Sequence, residues 1–446
     1  MTIRFGVSAA VGFVATLVFS SQSEAGTFGA PVALSTNGHA ATVSVAMDDS
    51  GNAHAAWADE GMWTSDKPAG GAWSAPQSVY VGGAFPVMHM TGSGAATIVS
   101  YSTGSGIWSV DRPAGGAWTS PYLIVSAPEI ANSPLVNVSP VQFLQNPNGD
   151  QAIVFAQSVG GNYVITAVRR PNGGTWSAQD NVASSANYGA IALDSAALGA
   201  DGDLVVTFEG YTVTCTKYCH DNNYIVHASR EKSGTTTWQD SGALTSPSTP
   251  FATETVIDSA GHAGLLIQND YSATIQSTTQ AKAGATWKPL VTAFQGTGSD
   301  GAYMWAAEAG NNAHASLAWI YLGTSGAGAT ILDGSTAKNT WSAPVLLSGK
   351  DSPGANDNMV FDENLAGGAV AGWTDIDGTV RASLRNKTGA AWSVAQTIVT
   401  GSSCNIGGVV CTGAVGGAVN PKGHAIVAYI RYDANVTVAT LYVSTE

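Results

Sequence analysis

Apolar runs, each entered through a turn containing Gly and often Asn, Asp or His, recur along the chain: SGNAHAAW at 50–57, NGDQAIVF at 148–155, DGDLVVTF at 201–208, AGHAGLLI at 260–267, AGGAVAGW at 366–373 and KGHAIVAY at 422–429. Six residues after Gly51, Gly149, Gly202, Gly261, Gly367 and Gly423 stand Trp57, Phe155, Phe208, Ile267, Trp373 and Tyr429, so one large side chain recurs at one register. Units with shifted spacing end in Tyr101 and Trp319, which makes eight copies. Runs such as AIVF and LVVTF do not alternate with polar residues, which predicts strands covered on both faces.

A second pattern lies downstream of each such strand. Trp73, Trp118, Trp176, Trp238, Trp287, Trp341 and Trp392 each follow a Gly-rich or Lys-containing turn, at spacings of 45 to 62 residues. The best preserved copies are DKPAGGAWSAPQSV at 66–79, DRPAGGAWTSPYLI at 111–124, RRPNGGTWSAQDNV at 169–182 and NKTGAAWSVAQTIV at 386–399, each a turn followed by a short strand. Eight copies of the first unit and seven of the second leave the unit from Gly413 to Glu446 without its last strand. The segment FGAPVALSTNG at 28–38 matches WSAPVLLSG at 341–349 and supplies it. The prediction is an all-β, eight-bladed β-propeller of four-stranded blades, with seven blades as the alternative and an N-terminal strand completing the last blade. A pair of β-sandwiches also gives short strands and Gly turns, but needs no single repeated motif.

Composition narrows the classes of function. The 446 residues include 53 Gly, 44% are hydrophobic and only 11% charged, with a net charge of -14. Such a balance repels phosphate backbones and anionic membranes, so nucleic acid is excluded as a partner. The chain opens with Met1 to Arg4, an apolar run from Phe5 to Phe19 and a small, polar stretch ending Ser23-Glu24-Ala25. That reads as a secretory signal over 1–25, followed by a single propeller domain over 26–446 in a protein secreted to the periplasm or beyond. The apolar run is short for a bilayer of ~30 Å, so no membrane insertion is expected after signal removal. In an oxidising compartment the pairs Cys215 with Cys219 and Cys404 with Cys411 read as local disulfides. Zinc is the rival at Cys215, Cys219 and His220, but a second local ligand pair is lacking.

The hairpins SVDRPAGGAW at 109–118 and TSDKPAGGAW at 64–73 resemble the Asp-box, or BNR repeat, of sialidase-like propellers, whose pattern is Ser-x-Asp-x-Gly-x-Thr-Trp. Ser109, Asp111, Gly115 and Trp118 match in type, although two extra residues separate Asp from Trp, and Arg169, Glu231 or Arg385 replaces Asp in other copies. The repeat is also similar to that of exported bacterial propeller lectins. The resemblance implies a propeller whose Asp-box turns lie away from the active face. It does not carry sialidase activity over. Those enzymes hold a carboxylate with three arginines, whereas Arg112, Arg169, Arg170, Arg230, Arg381 and Arg385 fall beside the repeated Trp, on blade surfaces or the far rim. Arg431 alone is expected in a loop on the active face.

Irregular insertions mark the other face: SAPEIANSPLVN at 126–137, TVTCTKYCHDNN at 212–223, QGTGSDG at 295–301, GKDSPGANDN at 349–358 and GSSCNIGGVVCTG at 401–413. Loops that break a repeat on a rigid scaffold are where binding residues concentrate. The ligand-binding candidates there are Asp59, Glu60, Glu209, Tyr211, Tyr218, His220, Asp221, Asp270, Tyr271, Tyr321, Asp375, Asp377 and Arg431, with His89 added as a less repetitive histidine. Carboxylates and aromatics suit neutral sugar rings, which offer CH groups for stacking and hydroxyls for hydrogen bonds. The leading expectation is a non-catalytic propeller binding a glycan or another cell-surface ligand. The alternatives are a glycoside hydrolase or polysaccharide lyase, using Glu209 with Asp59 or Asp375, or His89 with Tyr211, and a protein-interaction scaffold. Asp201-Gly202-Asp203 and Asp375-x-Asp377-Gly378 read as hairpin turns rather than calcium loops, so no metal and no cofactor is expected.

Overall fold

A computed structural model describes residues 26–446 apart from 36–37, 81, 83, 103–105, 127–140, 189, 216–218, 246–249, 270–273, 297–300, 312, 324–325, 349–358, 376, 402–411 and 434–438. The expected signal at 1–25, Cys404, Cys411, Tyr218, Asp270 and Tyr271 therefore lie outside the described residues. For Tyr211, Cys215, Cys219, His220 and Asp221 the backbone alone is described.

The described strands form eight antiparallel sheets, each a blade. Blade 1 comprises Val43–Met47, Ala53–Ala58, Met62–Lys67 and Gln77–Tyr80. Blade 2 comprises Ala84–Met90, Ala96–Ser102, Gly106–Arg112 and Tyr122–Val125, and blade 3 comprises Val141–Gln145, Gln151–Val159, Asn162–Arg170 and Asp180–Ser184. Blade 4 is formed by Ala190–Leu198, Leu204–Cys215, Cys219–Glu231 and Trp238–Asp240, and blade 5 by Pro250–Ile257, Ala263–Asn269, Thr274–Gln280 and Val291–Gln295. In blade 6, Gly301–Ala309, His314–Gly323 and Gly326–Ser335 are followed by two short pieces, Thr340–Trp341 and Val345–Leu346, that share the outer position. Blade 7 comprises Met359–Glu363, Ala369–Thr374, Val380–Arg385 and Gln396–Val399. Blade 8 takes Thr412–Val419, Ala425–Tyr432 and Ala439–Thr445 from one end of the chain and Val32–Ala33 from the other, with Val32 opposite Val443 and Ala33 opposite Tyr442. The eight-bladed architecture and the closing strand are as the repeat arithmetic predicts. Among the described residues, no helix is long and apolar enough to cross a membrane.

The register residue is the wedge between blades. Trp57, Phe155, Phe208, Ile267, Trp319, Trp373 and Tyr429 are all buried, and Phe208 packs with Val154 and Ile165 of the preceding blade and its own Leu193. The repeated Trp residues are half-buried near the outer strands. First strands of neighbouring blades touch all the way round, forming the inner wall.

The first-to-second and third-to-fourth hairpins share one face, here the regular face. Its turns follow one design. Asp48, Asn146, Asp258, Asn364 and Asn420 each accept with Oδ1 from the backbone N–H groups two and four residues on. Gly51 and Gly149 complete two of these turns with φ of 92° and 85°, a region that L side chains avoid. Asn amides then reach the next blade: Asn146 Nδ2 donates to the Gly199 carbonyl, Asn364 Nδ2 to that of Asn420, and Asn420 Nδ2 to that of Asp48 across the closing joint.

The arginines beside the repeated Trp lie at the far rim as expected, but Arg112, Arg169, Arg170, Arg230 and Arg385 bridge blades there, at the ends of the third strands, whereas Arg381 pairs with Asp375 inside blade 7. Arg112 of blade 2 meets Asp66 of blade 1 at 3.1 Å, and Arg170 of blade 3 grips Asp111 of blade 2 at 2.7 and 2.8 Å. At the next joint the polarity reverses: Arg169 of blade 3 meets Glu231 of blade 4, and Arg230 of blade 4 donates to Gln280 of blade 5. Arg385 of blade 7 binds both oxygens of Asp333 of blade 6 at 2.7 and 2.8 Å, and its side chain is 0% exposed. Arg112, Arg170 and Arg385 also lie over Trp118, Trp176 and Trp392 respectively.

Candidate functional site

The second-to-third hairpins and the crossovers between blades share the opposite, loop-bearing face. There the entry of blade 2 departs from the repeat. The pairing of its first two strands slips between Ala84 and Val87, and Phe85 in that bulge has a φ of 51° directly before Pro86. Left-handed backbone costs a non-Gly residue about 1–3 kcal/mol, and a following proline further narrows the options. The result is a Phe side chain 51% exposed, stacked on Tyr101 with ring centroids 5.1 Å apart and planes 14° from parallel. Tyr101 occupies the register position that buries its counterpart in the other seven blades, yet it is only half-buried. Beside this pair, Tyr80 of blade 1 packs against Trp108 of blade 2 at 5.2 Å.

The adjoining hairpin of blade 1 places carboxylates on the same face. Glu60 sits at its tip with a φ of 50° and an 80% exposed side chain, 3.9 Å from His39 Nε2. Asp59 next to it is buried and its Oδ1 has no hydrogen-bond partner. Burial raises the Asp59 carboxyl and Glu60 adds to this, while His39 acts against it. The Asp59 carbonyl accepts from Trp63 Nε1 at 2.8 Å, which fixes the hairpin.

A second polar region lies in the seam between blades 4 and 5. Beside the apolar cluster of Val205, Ala228, Ile257 and Ala263, Thr207 contacts Thr253 and Thr255 through hydroxyls, and Ser195 Oγ accepts from the Thr255 N–H. Glu209 is fully buried and Asp194 is 4% exposed. Burial, and for Glu209 also the nearby Asp194 carboxylate, pushes both carboxyls well above their ordinary range. Glu209 belongs to blade 4, whereas Asp59 and Asp375 belong to blades 1 and 7. Farther round the inner wall Glu254, Glu308 and Asp362 follow on blades 5, 6 and 7, each partly accessible. Burial raises Glu254 to about 8 and Asp362 to about 6, and Glu308 well above its usual range.

Blade 4 also carries the longest hairpin, in which Cys215 lies directly opposite Cys219 and Thr214 opposite His220. At its base Tyr188, from the short helix Ser185–Tyr188, donates its hydroxyl to Asp240 at 2.7 Å and packs on Phe208 and His227. His227 Nδ1 is 3.3 Å from the same carboxylate.

The remaining candidates are structural or separate. His89 donates from Nε2 to the Phe143 carbonyl at 2.9 Å, and burial lowers its pKa, so it is a neutral ring joining blades 2 and 3 rather than a base beside Tyr211 of blade 4. Tyr321 is half-buried against Phe294. Asp375 accepts from Arg381 Nε at 2.6 Å, and Asp377 is lowered by the Thr379 backbone N–H at 2.8 Å, as befits a hairpin turn. Arg431, expected in a loop, lies instead within the strand Ala425–Tyr432. Sequence reasoning passed over Phe85 and counted Tyr101 only as a repeated core position, although the Phe-Pro pair at the start of a strand was a readable irregularity. It missed Asp194, Glu254, Glu308 and Asp362 because only the ring brings those strands together.

No family model matches this chain, and no curated protein matches it. Solved structures do. The chain is similar to the Aleuria aurantia lectin in complex with Fucα1-6GlcNAc, at 8% identity over 84% of this chain and 100% of that one, TM-score 0.41. It is similar to a PL25 ulvan lyase, at 11% identity over 84% and 96%, TM-score 0.46. It is also similar to YCF48 bound to D1 peptide, at 15% identity over 82% and 97%, TM-score 0.44. What the chain has in common with them is the β-propeller fold.

Proposed function

We propose that the protein is exported, loses its signal near Ala25, and binds carbohydrate non-catalytically through the loop-bearing face. The observation that carries this reading is the Phe85–Tyr101 stack: a large aromatic face held toward solvent on left-handed backbone. Backbone strain of this kind persists where the surroundings impose it, and it concentrates at ligand sites. A flat ring accepts the CH face of a pyranose, and Glu60 supplies acceptors for its hydroxyls. An overall charge of -14 disfavours uronic or sialic acids and favours neutral sugars. The Asp-box-like reading of the Ser109–Trp118 hairpin and the disulfides Cys215–Cys219 and Cys404–Cys411 belong to the same proposal, and non-reducing peptide mass mapping tests the pairings.

The test is a glycan array probed with residues 26–446 and with Phe85→Ala, any captured oligosaccharide being weighed for cleavage. Intact glycan bound by the wild type and lost in the variant is the expected result. Cleaved glycan overturns the non-catalytic reading in favour of a hydrolase or lyase. Absence of glycan binding at high protein concentration overturns the carbohydrate reading and points to a protein partner.

A further inference from the structure

The segment that closes blade 8 is held by more than its two-residue strand. Gln396 of blade 7 donates from Nε2 to the Gly26 carbonyl at 2.8 Å and accepts at Oε1 from the Phe28 N–H at 3.1 Å, while the Gly29 N–H donates to the Thr445 carbonyl at 2.9 Å. This clamp lays the Gly26 nitrogen against the Glu446 carboxylate, to which its N–H donates. The approach is so close that a Cβ at position 26 would overlap the Glu446 side chain in this position. One carboxylate oxygen, Oε2, is buried and has no partner. Burial raises the Glu446 carboxyl, with the Gly26 N–H and the charge of His424 acting the other way. A single amide N–H leaves this carboxylate under-satisfied.

We propose that Glu446 is the binding site for the α-ammonium group created at Gly26 by signal removal, and that this ion pair locks the ring after export. The inference rests on cleavage between Ala25 and Gly26, as in the function proposed above. Hydrolysis of that peptide bond by a leader protease consumes one water, leaves a carboxylate on Ala25 and frees the Gly26 nitrogen as an amine. The amine takes up a proton below its ordinary pKa of about 8. The nitrogen need not move: one neutral N–H becomes three donors on a positive charge, beside an oxygen that lacks one. While the signal is attached this lock cannot form, so the closing joint gains it only when processing is complete.

The test uses four chains: one beginning at Gly26, released from a fusion that leaves no extra residue, one extended by Ser23-Glu24-Ala25, and Glu446→Gln in each. At pH 7 the chain beginning at Gly26 should melt about 1–3 °C above the extended one, with slower amide exchange at Val32 and Ala33. The pair raises the amine's pKa above its unfolded value. Its contribution is therefore present below pH ~8 while Glu446 stays ionised, fades as pH rises through the folded pKa of the amine, and is lost again in acid as Glu446 takes up a proton. In Glu446→Gln the gain from removing the extension should vanish. An equal gain in both backgrounds, or none in the wild type, overturns the pairing. N-terminal sequencing of the exported protein tests the cleavage separately: a first residue other than Gly26 overturns the processing step, while the four chains still decide whether Glu446 receives an ammonium group.

Discussion

Replacing Arg385 by methionine probes the energetics of the joints between blades. The guanidinium is fully buried, bonds both oxygens of Asp333, donates to the Gly367 carbonyl at 3.0 Å and to Ser316 Oγ at 3.1 Å, and lies over Trp392 at 5.0 Å. It also stands 3.2 Å from Glu363 Oε2, whose side chain is 0% exposed. That contact lies within ion-pair distance but off the hydrogen-bond direction, so the attraction is chiefly between charges. Methionine keeps the packing volume while taking the guanidinium from one fully buried carboxylate and one partly buried one, beside which His314 Nε2 remains at 3.1 and 3.8 Å. Removing one partner of a buried pair costs about 3–5 kcal/mol. With an unfolding entropy near 2.1 cal/mol/K per residue, that lowers Tm by about 3–6 °C. Urea and thermal unfolding followed by tryptophan fluorescence measure both quantities. Adding Glu363→Gln should recover part of the loss, because the most buried stranded charge is gone. A loss in Arg385→Met below about 1 kcal/mol would refute the reasoning, since it would place this joint with ordinary surface ion pairs.

Other expectations follow from the same structure. Phe85→Gly should relieve left-handed strain and leave stability unchanged or raised by about 1 kcal/mol while abolishing glycan capture, read by urea midpoint and array signal together. Glu254 is raised from 4.5 to about 8, so the folded state holds an extra proton between those values and its stability falls as pH rises through them. Glu254→Gln should match the wild type near pH 4 and exceed it at pH 8, as midpoints across the pH range will show. Arg169→Glu should destabilise by placing two carboxylates at the joint of blades 3 and 4, and adding Glu231→Arg should restore part of the loss in a double-mutant cycle.

The ring was legible because its grammar is local. A turn Gly, a fixed count to a large side chain and a second turn before Trp each reflect one backbone requirement, and the unpaired final unit pointed to Val32–Ala33 as the strand opposite Val443 and Tyr442. The site was less legible because its determinants are not local. Glu209 stood out in the sequence as a carboxylate after a buried strand, but its neighbour Asp194 sits on the bulge of a different strand. The arginines misled for a related reason: a charge next to an exposed turn reads as solvated, whereas the twist of the third strand carries Arg230 and Arg385 into the interior between blades.

The charges at the third-strand ends also restrict how this ring could have grown. Blades 1 and 2 send an acid forward, Asp66 or Asp111, and blade 2 receives with Arg112, so a copy of blade 2 could be inserted beside its parent without conflict. Blade 4, with Arg230 and Glu231, is self-compatible in the opposite sense. Blade 3 carries Arg169 and Arg170 and joins these two conventions. Doubling it would set cation against cation, and deleting it would set Asp111 against Glu231. Tandem duplication of blade 2 is electrostatically neutral, whereas the boundary at blade 3 can neither be multiplied nor lost, which makes it a fixed point of the ring's genealogy.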